Sequence, residues 1–316
     1  VKKWTTELLL LSVVIIWGIN YTANKYGVSQ LSPTVFNAVR FTVTAPILLV
    51  LTWLVEHSVR IRKRDLWLLS LVSIVGIALY QTLFSASVEY TSATNASLLI
   101  AMSPIFSCIF SPLAKQEKFL WKQQAGSLIA FLGAAIVLLS GHHTEDMYPH
   151  AMVGDIFGFL ASVSWGWYPV LTTPLLRQYS SLRIIAWTSL MGAVFLLVLI
   201  WVTGQPITFQ LPALTYVSLL YSILFVTMYG LVIWYQGVGK VGTTKAMLYM
   251  YLVPVVAAVF AASVNHEPIH FGQVLGGILI VLGITYVKGG HDAIMRGIRH
   301  RRRSSAIERD PRHEEM

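Results

Sequence analysis

The sequence predicts an all-α polytopic membrane protein: ten transmembrane helices arranged as two inverted five-helix repeats. Three observations predict it. Apolar runs of spanning length recur along the chain, basic and non-basic loops alternate between them, and the chain matches itself at a shift of 150 residues. Of the 316 residues, 55% are hydrophobic and 12% are charged, about half the charged share of a soluble domain. Mean hydropathy is +0.65. The single cysteine, Cys108, excludes an internal disulfide. The net charge of +9 lies in loops and tail, where it signals orientation and not nucleic-acid binding.

A helix needs about 20 mostly apolar residues to cross the hydrocarbon core. Ten stretches qualify: 7–26, 33–55, 66–88, 93–114, 122–140, 152–173, 181–203, 212–236, 243–264 and 271–288. The first has no small-residue cleavage site and is followed at once by further spans, so it reads as a retained helix. The period-two alternation of a membrane barrel is absent.

Lysine and arginine set the orientation. Arg60, Arg62, Lys63 and Arg64 lie between spans two and three. Lys115 and Lys118 lie between four and five, Arg177 between six and seven, Lys240 between eight and nine, and Arg296 to Arg303 in the tail. The opposite loops hold only Lys25, and "HHTED" at 142–146 is acidic. Both termini are therefore expected in the cytoplasm. The short loops fit a bacterial inner membrane.

Comparing 93–133 with 243–283 gives ten identities in 41 positions. They include Pro104/Pro254, Glu117/Glu267, Gln123/Gln273, Gly126/Gly276 and Gly133/Gly283. Trp17-Gly18 matches Trp165-Gly166 at a shift of 148. The expected units are a first repeat at 1–140, an external linker at 141–151, a second repeat at 152–288 and a basic, disordered tail at 289–316. Five is odd, so the second repeat is expected upside down. The basic 56–65 loop agrees, since its counterpart at 204–211 has no lysine or arginine. Inverted repeats place a transporter's substrate site near the midplane where the halves meet.

"IIWGINYTANKYG", "LSPTVFNAVRF", "EYTSATNASLLIAMSPIF" and "QQAGSLIAFLGAAIVLL" in the first half carry a family resemblance. "SWGWYPVLTTPLLRQY", "GVGKVGTTKAMLYMYLVPVVAAVF" and "FGQVLGGILIVLG" carry it in the second. Over residues 7–288 the chain resembles the drug/metabolite transporter superfamily, in its ten-helix EamA-like branch. The resemblance implies a ten-helix basket whose cavity is lined by helices one, three, four, six, eight and nine, with five and ten at the back. It also implies export or exchange of amino acids, metabolites, nucleotide sugars or drugs, and an arginine at the place of Arg40.

A pocket for small solutes needs aromatic faces and a few polar groups. Trp17, Asn20, Tyr80, Phe84, Trp165, Tyr168, Tyr229 and Tyr249 are the candidates, with Tyr21, Asn24, Gln81, Trp167, Tyr221, Tyr235, Met250 and Tyr251 beside them. Trp4, Trp53, Trp67, Trp121, Trp201 and Trp234 fall near span ends and read as interfacial anchors. Pro104 and Pro254 are expected to kink spans four and nine, as fixed bends or as gates. Arg40 lies about 10 Å along span two. It can snorkel to the outer headgroups, pair with Glu89 or, next, Asp155, or touch substrate. No acidic residue lies centrally in a span, so Glu89 and Asp155 are the candidates for proton coupling.

Glu117 and Glu267 read as helix-entry anchors, and Lys245 is the lone deep lysine. Glycines on spans five and ten suit close helix packing or homodimer contact. The histidines lie in loops and tail, and no phosphate-cradling glycine loop occurs. No metal, cofactor or enzymatic activity is expected. The partners are a small-molecule solute and the lipid bilayer, with no nucleic acid. The expected function is export of small uncharged or zwitterionic metabolites, such as amino acids, by alternating access. A multidrug or nucleobase-type exporter, and a non-transporting scaffold or receptor, are the alternatives.

Overall fold

The computed structural model describes residues 3–116 and 148–264 (except 209), 266, 269–283 and 286, with scattered positions between 121 and 136. Among them no strand occurs. Expected span five, most of the linker, Glu117, Glu267 and the tail lie largely or wholly outside the described residues, as does the Lys245 side chain.

The chain runs through α1 (Lys3–Val28), α2 (Pro33–Glu56), α3 (Lys63–Tyr90), α4 (Ala93–Leu113), α5 (Ala151–Leu176), α6 (Ser181–Thr203), α7 (Ala213–Val241), α8 (243–264) and α9 (Phe271–Gly283). Six of these, α1 to α4, α6 and α7, are long and apolar enough to cross a membrane. Tyr249–Val264 and Phe271–Gly283 are shorter apolar helices. Helix α5 has 26 residues, ample for a span. Its Asp155, Trp165, Trp167, Tyr168 and two prolines dilute its apolar character.

Serine starts three of the helices. Ser32, Ser92 and Ser180 cap α2, α4 and α6, each accepting a hydrogen bond from the backbone N–H three residues on. Such a cap stabilises a helix end by about 1 kcal/mol. Gly204 closes α6 with φ 63°, a conformation glycine adopts without steric cost.

Two long helices change pitch midway. Ile74–Leu79 in α3 and Ser222–Leu231 in α7 are π-helical. The Tyr80 N–H reaches back to the Val75 carbonyl. The two stretches begin 148 residues apart, the offset that relates Trp17 to Trp165.

Helices α4 and α8 depart from α-helical geometry just upstream of their prolines. Helix α4 is interrupted at Ala101–Met102 and resumes at Ser103. Helix α8 passes through a 3-10 stretch, Leu248–Leu252, and resumes at Val253. Pro104 and Pro254 each take the second position of the resumed segment. A missing N–H costs little in that first turn.

Polarity is turned inside out. Trp53, Trp67, Trp201, Leu220, Leu224 and Phe225 are exposed, while Asn37, Thr44, Thr188, Ser218, Ser222 and Thr227 are buried. An apolar exterior of this extent suits lipid.

The two halves exchange helices. The first helix of the N-terminal half, α1, packs on α7 and α8 of the other half. Its counterpart α5 packs on α3 and α4, and α2 lies along α6. Gly18 faces Val256 and the Ala257 backbone, whereas Gly166 faces Phe106 and the Ser103 carbonyl. Gly133 meets the Gly276 backbone, so that small-residue face packs within the chain.

Helices α2 and α6 are tied at both ends. Ser32 bonds Gln205 at one. At the other, Arg183 pairs with Glu56 at 2.6 Å, and Trp187 Nε1 donates to the Val59 carbonyl at 2.7 Å. The ion pair is about four-fifths buried. Glu56→Gln and Arg183→Gln are each expected to cost about 1 kcal/mol. The double variant should cost less than their sum in detergent melting curves; additivity would remove the pair from the account.

Candidate functional site

The site begins with one polar stripe. Asn37, Arg40 and Thr44 follow one another at three- and four-residue spacing on α2, and all are buried. Helix geometry puts such positions on one face, and this face turns into the bundle. Asn37 Nδ2 donates to the Gln81 carbonyl at 2.9 Å and to Ser85 Oγ at 2.8 Å, pinning α2 to α3. Arg40 therefore cannot reach the membrane surface, and its side chain has 0% exposure. The snorkelling anchor is corrected on that ground.

The expected Arg40–Glu89 pair is corrected as well. Arg40 Nε donates to Thr227 Oγ1 at 2.6 Å, and Nη1 donates to Gln81 Oε1 at 3.2 Å. The guanidinium carbon lies 5.0 Å from the Phe41 ring centroid. Among the described residues, Arg40 forms no ion pair with any carboxylate, and Nη2 has no hydrogen-bond partner. Glu89 sits at the far end of α3, where its Oε2 is buried without a hydrogen bond. Asp155 follows Gly154, which packs on the Tyr90–Thr91 backbone at that same end.

An aromatic cluster faces the stripe. Trp165 is its hub: Tyr80 stacks on it at 4.6 Å, and Trp17, Tyr168 and Trp234 approach at 5.3, 5.5 and 6.3 Å. Tyr21 and Tyr80 flank Phe84 at 5.0 and 6.1 Å. Trp17 Nε1 donates to the Val226 carbonyl at 3.2 Å. Offset and edge-on pairs at these spacings each contribute about 0.5–1.5 kcal/mol beyond burial. The cluster therefore holds α1, α3, α5 and α7 in register.

Between stripe and cluster lies a cavity. Trp17, Asn20, Tyr21, Arg40, Tyr80, Gln81, Phe84 and Trp165 line it, with Val226, Leu231, Met250 and Val253 from the C-terminal half. Its volume is only about 30 Å³, whereas small-molecule pockets run to about 300–1,000 Å³. A solute enters only if the surrounding helices move apart. A larger groove of about 410 Å³ between α4, α8 and α9 is lined almost wholly by apolar residues, with Thr94 and Gln273 among its few polar side chains; Val255, Val259 and Ile278 on its wall are exposed.

Of the expected cavity residues, Trp17, Asn20, Tyr80, Phe84 and Trp165 line the space, and Tyr168 packs behind Trp165. Tyr229 and Tyr249 do not line it. Tyr229 turns to Ser12 on α1, with the two hydroxyls 2.8 Å apart, because the π-helical stretch directs Val226 and Leu231 inward. The 3-10 stretch of α8 presents Met250 in place of Tyr249. Trp234 is fully buried against Trp17 at 5.1 Å; helix α7 runs to Val241, beyond the expected end at 236, so this ring sits deeper than an interfacial anchor. Trp53, Trp67, Trp121 and Trp201 are exposed. Among the described residues no group of three or more His, Cys, Asp or Glu could hold a metal ion.

Apolar helices surrounding a small aromatic cavity fit the class of multi-pass membrane proteins. The chain belongs to the EamA-like transporter family, whose model matches it twice, at residues 4–139 and 152–288. It is a transporter and not an enzyme. It is 28% identical to an uncharacterized transporter, YyaM, of Bacillus subtilis (strain 168), over 91% of this chain and 95% of that protein. It is also 28% identical to a "probable terminal-alkyne amino-acid exporter" of Streptantibioticus cattleyicolor, over 88% of this chain and 91% of that one. A protein crystal structure with 14% sequence identity superimposes with a TM-score of 0.67, covering 90% of this chain and 97% of that one. That likeness concerns the fold alone.

Proposed function

We propose that the protein is a secondary transporter that exports small uncharged or zwitterionic metabolites, amino acids or their close relatives, by alternating access. One observation carries this reading: both family-domain copies contribute to a single cavity too small to admit a solute without rearrangement. The exporter-named relative supports the amino-acid class. The exchanged packing of α1 and α5, and the equal offset of the two π-helical stretches, support ten spans built as inverted halves. The basic loops support cytoplasmic termini in a bacterial inner membrane. Glu89 and Asp155, near one end of the bundle, are the carboxylates through which a proton gradient would act.

The test is counterflow in proteoliposomes with amino acids, purines, sugars and cationic dyes, with and without a pH gradient. Exchange of amino acids is expected, with loss in Tyr80→Ala. Folded protein that exchanges no member of the panel would overturn the reading.

A further inference from the structure

Among the described residues, no carboxylate neutralises the charge that Arg40 brings to the cavity. Arginine stays protonated in proteins, and a buried cation is costly unless paired. The ion pairs found among the described residues, Arg62–Asp65, Arg64–Asp65 and Arg183–Glu56, all lie at helix ends and loops. Arg40 has only neutral acceptors, Thr227 Oγ1 and Gln81 Oε1. Nε and Nη1 make these two bonds, and among the described residues Nη2 has no acceptor. Arg40 itself lines the cavity.

A second donor there is also unused. Trp165 is 1% exposed, lines the same space, and its Nε1 has no partner. Among the described residues, no acidic side chain lines the cavity. The remaining wall is aromatic or aliphatic: Tyr80, Phe84, Val226 and Met250. The site thus sets a cation and buried, unpaired N–H groups beside the cavity, with an apolar surface for the rest of a solute and, among the described residues, no carboxylate for an ammonium group.

We infer that the cavity selects solutes bearing one carboxylate and an apolar body, with Arg40 binding the carboxylate and no requirement for an amino group. The inference rests on the transport reading and redraws its solute class: a carboxylate is required, and an ammonium group is not. A carboxylate matches the planar, forked donors of a guanidinium. It supplies the missing counter-charge only while bound, so an empty site keeps the cost and a filled one relieves it. Gln81 holds the guanidinium in place, and the same residue allows the mechanism to be tested without removing the arginine. Gln81→Glu sets a permanent carboxylate 3.2 Å from Nη1, where it competes with the solute.

The experiment uses the full chain in proteoliposomes and three probes sharing a phenyl group: L-phenylalanine, 3-phenylpropionate and L-phenylalaninamide. Binding is read by tryptophan fluorescence and transport by counterflow. The two carboxylates are expected to bind within about threefold of each other, and the amide at least tenfold more weakly. Arg40→Gln should lose at least tenfold in carboxylate affinity, with Arg40→Lys between it and the parent. Gln81→Glu should lose at least as much while melting no lower than the parent, which separates solute recognition from folding.

Amide binding equal to carboxylate binding, or carboxylate binding unchanged in both Arg40→Gln and Gln81→Glu, would overturn the inference. Chloride that displaces the carboxylates at equal concentration would also overturn it, in favour of a resident inorganic anion. Exchange of a dye or sugar with no carboxylate bound would sink this inference and leave a transporter standing. Arg40-dependent binding of 3-phenylpropionate without L-phenylalanine exchange would support it and remove amino-acid export instead.

Discussion

Trp165→Ala should cost about 3–5 kcal/mol of stability and abolish solute exchange. Large-to-small substitutions of buried tryptophan fall in that range, and this ring is in contact with four other aromatics. In lipid the loss is mainly one of packing, because removing an apolar ring from a membrane interior restores little contact with water. Trp165 comes from the C-terminal family copy, while Trp17 and Tyr80 come from the N-terminal one. Removing it therefore loosens the junction between copies as well as the cavity wall. Trp165→Phe keeps a ring but no indole N–H, and should recover most of the stability. Differential scanning fluorimetry on the detergent-solubilised protein checks both; an alanine variant melting within a degree of the parent would refute the hub.

The second large effect concerns glycine. A Cβ on Gly166 would lie 2.6 Å from the Ser103 carbonyl oxygen and 2.6 Å from Phe106 Cβ. The carbonyl is backbone and cannot swing aside, so α4 and α5 must separate. Gly166→Ala is expected to destabilise by about 1–3 kcal/mol, as other overpacked sites do. Gly239, also helical, has nothing within 4 Å of its would-be Cβ. Alanine there should stabilise by up to about 1 kcal/mol, since it only restricts the unfolded chain and improves helix propensity. Opposite signs for one chemical change would identify close helix approach as the cause; equal signs would refute it. Gly18→Ala, against Val256, tests the equivalent contact of the other half.

Much of this was legible in the sequence. Apolar run length identified the six helices long and apolar enough to span, and the repeated Trp-Gly pair marked two close helix approaches. The headgroup anchor and the Glu89 pair fail for Arg40 because they weigh its depth along α2 and not its face. Asn37 and Thr44 share that face, and three polar residues on one stripe of an apolar helix point inward. Trp234 was misplaced because α7 is longer than its hydropathy suggested. Tyr229 and Tyr249 were misplaced for a deeper reason. Facing is inferred from a 3.6-residue period, and that period fails in a π-helical or 3-10 stretch. Nothing in "SILFVTMYGL" announces the change of pitch.

The π-helical stretch in α3 has a consequence for how the cavity is encoded. Each α-helical residue advances the chain by about 100° around the axis, and a π turn absorbs surplus residues without lengthening the helix in proportion. Tyr80, Gln81 and Phe84 follow that stretch directly. Their common orientation toward Arg40 and Trp165 is thus a matter of phase, set by how many residues precede them. Loss of one residue from Ile74–Leu79 would leave every side chain of the binding wall intact and rotate all three together by about a quarter-turn. In this protein the count of residues helps to shape the cavity.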